Sequence, residues 1–212
     1  HVHVDFHEQG INEPYYFPPA AEPYHEVITN WQRDFQKEIG ANHASYFDKE
    51  GWLYFSKEIF DLLYPSYGDT YPTYNGSIGM TYEQGGSGRA GLAVITQVGD
   101  TLSLMDRVTH HVTTGLSTVE MSAKNAEKLV KEYQQFCKNK NYKYKTYVLR
   151  APESKLEPLM ELMQKNGIQV EMVGSSSQEI SLKGLHFLNG QSEALKLAQG
   201  DLLIHTNQEK GT

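Results

Sequence analysis

His1-Val2-His3-Val4-Asp5-Phe6-His7 opens the chain, and Ile78-Gly79-Met80-Thr81-Tyr82-Glu83 recurs some way along it. Both runs alternate, and both are rich in β-branched or aromatic residues, the pattern of a strand. The first reads as a buried strand that ends on an imidazole, the second as a strand that ends on a carboxylate. Each opens into a loop: Glu8 to Pro23 carries Pro, Gly, Asn and aromatic residues, and Gln84 to Gly91 contains four glycines. Strands separated by helical segments indicate an α/β fold. Groups at the carboxyl ends of such strands are where open α/β sheets place their ligands.

Between the two strands the periodicity is helical. Val27, Ile28, Trp31, Phe35 and Ile39 recur at helix spacing from about Pro23, with Gly40 as the expected stop. A shorter helix is expected to start near Ser56 and to bury Ile59, Leu62 and Leu63. Tyr64 to Gly76, rich in Tyr, Pro and Gly, reads as irregular loop. After the second strand, Leu92 to Thr96 reads as a short strand. A long helix capped by Asp100 or Thr101 follows. Its apolar positions Leu104, Met105, Val108, Val112, Leu116, Val119 and Ala123 keep the helical period, and it is expected to run to about Lys138. The polar stretch Asn139 to Lys145 marks a domain boundary, giving units 1–139 and 140–212. The second unit reads as a small α/β element: strands at Thr146 to Leu149, Ile168 to Val173 and Leu202 to His205, a helix at Ser154 to Asn166, and a turn at Ser175 to Ser177.

Composition narrows the function. Of 212 residues, 39% are hydrophobic, with 14 Tyr, 8 Phe and 2 Trp, enough for a core. The net charge is -7, from 26 acidic and 19 basic residues, which disfavours nucleic acid as a partner because phosphate contacts need clustered Lys and Arg. Cys137 is the one cysteine, so a disulfide scaffold is excluded. No run of about 18 apolar residues exists to span a membrane. The chain opens directly on a strand-like run without Met or leader, and both ends read as cut from a longer polypeptide.

Several groups can carry chemistry. His7 at a strand end can ligate zinc, and Asp5 shares its strand face and can orient it; a surface histidine bonded to a neighbouring carboxylate is the plainer alternative. His3 lies four residues back, about 13 Å away along a strand, too far to share the metal. Glu83, with glycines after it, can face a cleft as general base, or stand as a strand-terminal carboxylate in water. Tyr64 and Tyr67 can swing over a site or pack their loop. On the long helix, one of His110 and His111 is expected to face the core edge and the other water.

The segments VDFHEQGINEPYYFPPAAEP and YPSYGDTYPTYNGSIGMTYEQGG, in this order, resemble the zinc carboxypeptidase family in its divergent, multidomain bacterial branch, over roughly residues 1–120. The resemblance implies a mixed-sheet, zinc-exopeptidase-like partial domain (phosphorylase/hydrolase-like). It implies zinc as cofactor and a peptide as substrate. His7 matches the zinc ligand contributed late in the chain, and Glu83 the glutamate that activates the metal-bound water. Tyr64, with Tyr67 as a rival, falls where the substrate-capping tyrosine lies, and Arg89 where a substrate carboxylate is reached. The family's His-x-x-Glu ligand pair and its Asn-Arg carboxylate grip have no counterpart here. The chain alone is therefore expected to bind zinc weakly and to be inactive, as part of a larger peptidase. The resemblance further implies an extracytoplasmic location, and a class I amidotransferase-like unit after the peptidase domain. In that unit no catalytic cysteine occurs, Cys137 lying in the preceding helix. A peptide- or glycan-binding module on a degenerate peptidase fold is the alternative. No Gly-x-Ser-x-Gly motif supports a serine hydrolase.

Overall fold

The computed structural model describes residues 1–138, 142–175 and 181–208. The chain divides into His1–Phe136 and Cys137–Thr212, each built from mixed helices and sheets. In chain order the first contains β1 (Val2–Gln9), β2 (Tyr15–Tyr16), α1 (Asn30–Glu50), β3 (Tyr54–Phe55), α2 (Thr70–Tyr74), β4 (Ile78–Gly85), β5 (Ala93–Ile95), β6 (Thr101–Ser103), α3 (Leu104–Lys124) and α4 (Ala126–Lys138), the last of which ends past the division. The second contains β7 (Thr146–Leu149), α5 (Glu153–Lys165), β8 (Glu171–Met172), β9 (Ser181–Leu185), β10 (Ser192–Lys196) and β11 (Leu202–His205). Among the described residues, no helix is long and apolar enough to cross a membrane.

The first unit is organised by a mixed sheet of order β1-β4-β2-β3. β4 is buried along nearly its whole length and pairs in parallel with β1, Val2 opposite Ile78 through Gln9 opposite Gly85. β2 runs antiparallel to β4, with Tyr16 opposite Glu83, and parallel to β3. Contrary to the expectation of a buried strand, β1 is an edge strand with half-exposed side chains. Its alternation places Val2 and Val4 against the core while Asp5 and His7 take the other face. That core joins Tyr15, Phe35, Ile39, Phe47, Met80 and Tyr82, all at most 2% exposed.

The helices differ from their sequence reading for identifiable reasons. α1 starts at the Thr29 cap, where Thr29 and Gln32 form a reciprocal capping box, and ends at Gly51 in the left-handed region. Gly40 lies inside it rather than at its end. A Cβ there would stand 2.1 Å from the Pro18 carbonyl oxygen, so this glycine serves close packing. The helix expected near Ser56 is absent: Lys57 and Ile59 have positive φ, which interrupts any helix. Leu62 is buried, whereas Ile59 and Leu63 are exposed. Within the expected Tyr-rich loop, residues 70–74 form α2. The cap expected at Asp100 or Thr101 is Ser103, which bonds reciprocally with Asp106. The long helix breaks at Asn125 into α3 and α4.

In the second unit β11 lies between β7 and β8, antiparallel to both, and β9 and β10 form a hairpin. The strand expected over 168–173 is confined to β8. Arg150 clamps the buried Asp201 through two hydrogen bonds of 2.7 Å. Of the expected boundary segment 139–145 and the expected turn 175–177, residues 139–141 and 176–177 lie outside the described residues, as do Gly211 and Thr212.

Candidate functional site

Parallel register decides the site: His7 is the Cα partner of Glu83, so the two side chains emerge side by side on one sheet face. His7 Nδ1 stands 4.0 Å from Glu83 Oε1. The other ring nitrogen, Nε2, stands 3.0 Å from Asp5 Oδ2, the strand-face partnership expected from their spacing.

Glu83 is 7% exposed, and its Oε2 is buried without a hydrogen-bond partner. Burial holds its carboxyl pKa above the ordinary value. The neighbouring His7 opposes the rise, and the charges of Asp5 and Asp69 add to it. Tyr16, opposite Glu83 on β2 and 2% exposed, is pushed up by burial first and then by the Asp69, Tyr24 and Glu83 charges; its hydroxyl therefore stays protonated beside the carboxylates.

The Tyr-rich loop is laid against this floor at two points. A Cβ on Gly68 would meet Asp5 Oδ2 at 2.2 Å. Asp69 accepts from the Thr81 hydroxyl at 2.9 Å and from Thr70 at 3.0 Å. Tyr64 and Tyr67, just before these anchors, are exposed and meet edge to face with centroids 5.1 Å apart. Arg89 is exposed in the glycine-rich turn, its amide bonded to the Gly86 carbonyl at 3.0 Å. The structure thus joins His7 to Glu83 and sets the two tyrosines on a loop pinned beside Asp5, with Arg89 on the turn after β4.

Arg107 escaped the sequence reading. It is buried, bonds Glu8 Oε1 at 3.2 Å and donates to the Gly91 carbonyl. Glu8 in turn accepts from the Gly88 amide at 3.4 Å, so this pair fixes the turn that follows Glu83. His110 and His111 both turn inward, contrary to the expectation that one faces water. The His110 ring bonds Gln84 Oε1 at 2.7 Å, and the Tyr15 hydroxyl bonds His111 Nδ1 at 2.7 Å. Burial lowers both pKa values, that of His110 to about 4. His43, buried between Ser117 and the Tyr82 hydroxyl, is lowered by burial to about 3. These imidazoles are neutral structural groups behind the site.

The donor set fits a zinc centre in part: one imidazole nitrogen facing a buried carboxylate that has an unpartnered oxygen. A catalytic zinc takes three protein donors, and no group of three His, Cys, Asp or Glu side chains placed to hold a metal occurs among the described residues. No family model, curated protein or solved structure matches this chain, so its functional reading rests on the geometry of His7 and Glu83.

Proposed function

We propose that this chain carries the late part of a carboxypeptidase-like zinc peptidase centre, hydrolysing a peptide bond with Glu83 as general base and His7 as one zinc ligand. The observation that carries this reading is the 4.0 Å approach of His7 Nδ1 to a Glu83 carboxylate whose other oxygen is buried and unpartnered. The parallel β1–β4 pairing in a mixed sheet supports a zinc-exopeptidase-like first unit, and the small second unit is read as amidotransferase-like from the resemblance. Two further zinc donors are needed beyond those of the described residues.

When bound, zinc polarises a scissile carbonyl and lowers the pKa of its water. Glu83 takes a proton from the attacking water and returns it to the leaving nitrogen. Its elevated proton affinity suits both transfers, because a base is most effective with a pKa brought toward the working pH. Asp5, 3.0 Å from His7 Nε2, orients the His7 ring. Tyr64 or Tyr67 closes over the bound peptide, and Arg89 reaches a substrate carboxylate.

The test is made in the complete polypeptide that contains these residues. Glu83→Gln should lower turnover by about 100- to 10,000-fold while zinc stays bound; His7→Ala should lose zinc. Metal content and peptide hydrolysis measured together separate the two roles. Full turnover in the Gln variant removes the base from Glu83 and favours a peptide- or glycan-binding module.

A further inference from the structure

The face that α3 turns to the sheet is polar: its buried residues are Arg107, Thr114, Ser117 and Thr118. Among the described residues, none of the buried members of the main apolar core belongs to α3. They are Tyr15, Phe17 and residues of α1 and β4, with Leu129 from α4. Near its last turn α3 lays the partly buried Met121 against that core, and Gly115 faces the Phe6 ring. The helix breaks from α4 at Asn125. α3 can therefore swing from the sheet about Asn125 while Leu129 and the rest of the core stay packed. What holds it down is chiefly a set of hydrogen bonds.

Imidazoles make the central bonds of that set. His43 of α1, fully buried, meets Ser117 of α3 at 2.7 Å through Nδ1 and the Tyr82 hydroxyl at 2.8 Å through Nε2. Tyr82 in turn bonds Thr118 of α3 at 2.6 Å. His110 of α3 bonds Gln84 Oε1 of β4 at 2.7 Å and lies against Trp52, with centroids 4.5 Å apart. A second proton on either ring buries a charge, and the groups around the rings do little to offset it. His43 faces Tyr82, whose hydroxyl burial keeps protonated. His110 faces the ring of Tyr15 from β2, also kept protonated by burial. On its own helix Asp106 favours the charged His110 ring and His111 opposes it, and burial outweighs both.

We propose that α3 is an acid-released latch: protonation of His43 and His110 detaches it from the sheet while the apolar core and the β1–β4 pairing stay in place. In the docked state burial holds the two pKa values at about 3 and about 4. Release returns each ring to the ordinary value of about 6.5. Docking is therefore fully favoured above the ordinary value and weakens as the pH falls from there toward the docked values. At pH 5 each imidazole multiplies the released population by about 30, and the two together by about 1,000. Release parts Arg107 from Glu8 and His110 from Gln84, so the turn after Glu83 loses its brace in acid. The latch stands whether or not Glu83 serves a peptidase.

Amide hydrogen exchange of the full chain, corrected for the intrinsic pH dependence of exchange, tests the latch. Between about pH 7.5 and pH 5 the opening constant of the α3 amides from Thr114 to Thr118 should rise about 1,000-fold or more. The amides of Met80 and Tyr82 in β4 should stay better protected than those of α3 at both pH values. In His110→Gln, whose amide can still bond Gln84 and does not titrate, circular dichroism at neutral pH should match the wild type, and the rise should be about 30-fold smaller. An α3 opening constant that does not change with pH overturns the proposal. So does one opening constant shared by α3 and β4 at pH 5, which is global unfolding, or a variant that keeps the whole of the wild-type rise.

Discussion

At Glu83 the demands of folding and of chemistry diverge. One carboxylate oxygen is buried without a partner, and burial raises the group's pKa. As pH climbs past the ordinary carboxyl value, the unfolded chain ionises first and the folded chain later, so stability falls over that interval and stays lower at neutral pH. Glu83→Gln should therefore unfold at higher urea at pH 7, by about 1 kcal/mol, and show no such gain near pH 3, where the carboxyl is protonated in both states. Urea midpoints at the two pH values check this, and destabilisation at pH 7 would mean that the carboxylate holds the fold together. His7 and Glu83 were legible in sequence because each closes an alternating run, and strand parity alone put Asp5 on the face of His7. Asp69 and Arg107 were not. Their partners Thr81 and Glu8 meet them only through tertiary folding, 12 and 99 residues away in sequence.

Among the elements, period proved a better guide to the type of structure than to its environment. The apolar recurrence along residues 104–123 identifies a helix correctly, yet the buried face of α3 is the polar one. That face is tolerated because its groups are satisfied: Thr118 bonds Tyr82 at 2.6 Å, Ser117 bonds His43 at 2.7 Å, and Thr114 bonds Tyr15 at 2.9 Å. A polar network of this kind depends on residues from α1, β2 and β4, which no local window contains. Gly40 misleads in the same way. Glycine at the end of an apolar period reads as a stop, but here it lets α1 approach the Pro18–Pro19 backbone. Gly40→Ala should cost about 3 kcal/mol, because the added methyl would meet backbone that cannot rotate away. Gly51→Ala, at the true end of α1 with open space around it but a positive φ, should cost only about 1 kcal/mol. Denaturant titration of the two variants compares them directly; equal costs would show that the helix does not press on Pro18 in solution.

Over the whole molecule, the two units differ in how much they bury. The first has a large aromatic core and a satellite cluster of Ala20, Ile28 and Leu62. In the second, the buried hydrophobic residues among those described are Leu156, Val173, Leu202 and Leu203. Strand β9 and the turn that leads to β10 leave Leu182, Leu185, Phe187 and Leu188 exposed. A unit of about 75 residues has little surplus stability even with a full core, so the second unit should unfold first. The chain offers a selective probe, since both its tryptophans, Trp31 and Trp52, belong to the first unit. Heating should produce an early loss of far-ultraviolet circular dichroism while tryptophan fluorescence holds, followed by a second transition seen by both signals. In Leu202→Ala, at a fully buried position of β11, the early transition should move down, or be lost because the unit is already unfolded, at a cost of about 2–5 kcal/mol. The fluorescence midpoint should stay in place. Coincident transitions in the wild type, or a fluorescence midpoint that falls together with the dichroism in Leu202→Ala, would mean that the two units fold as one.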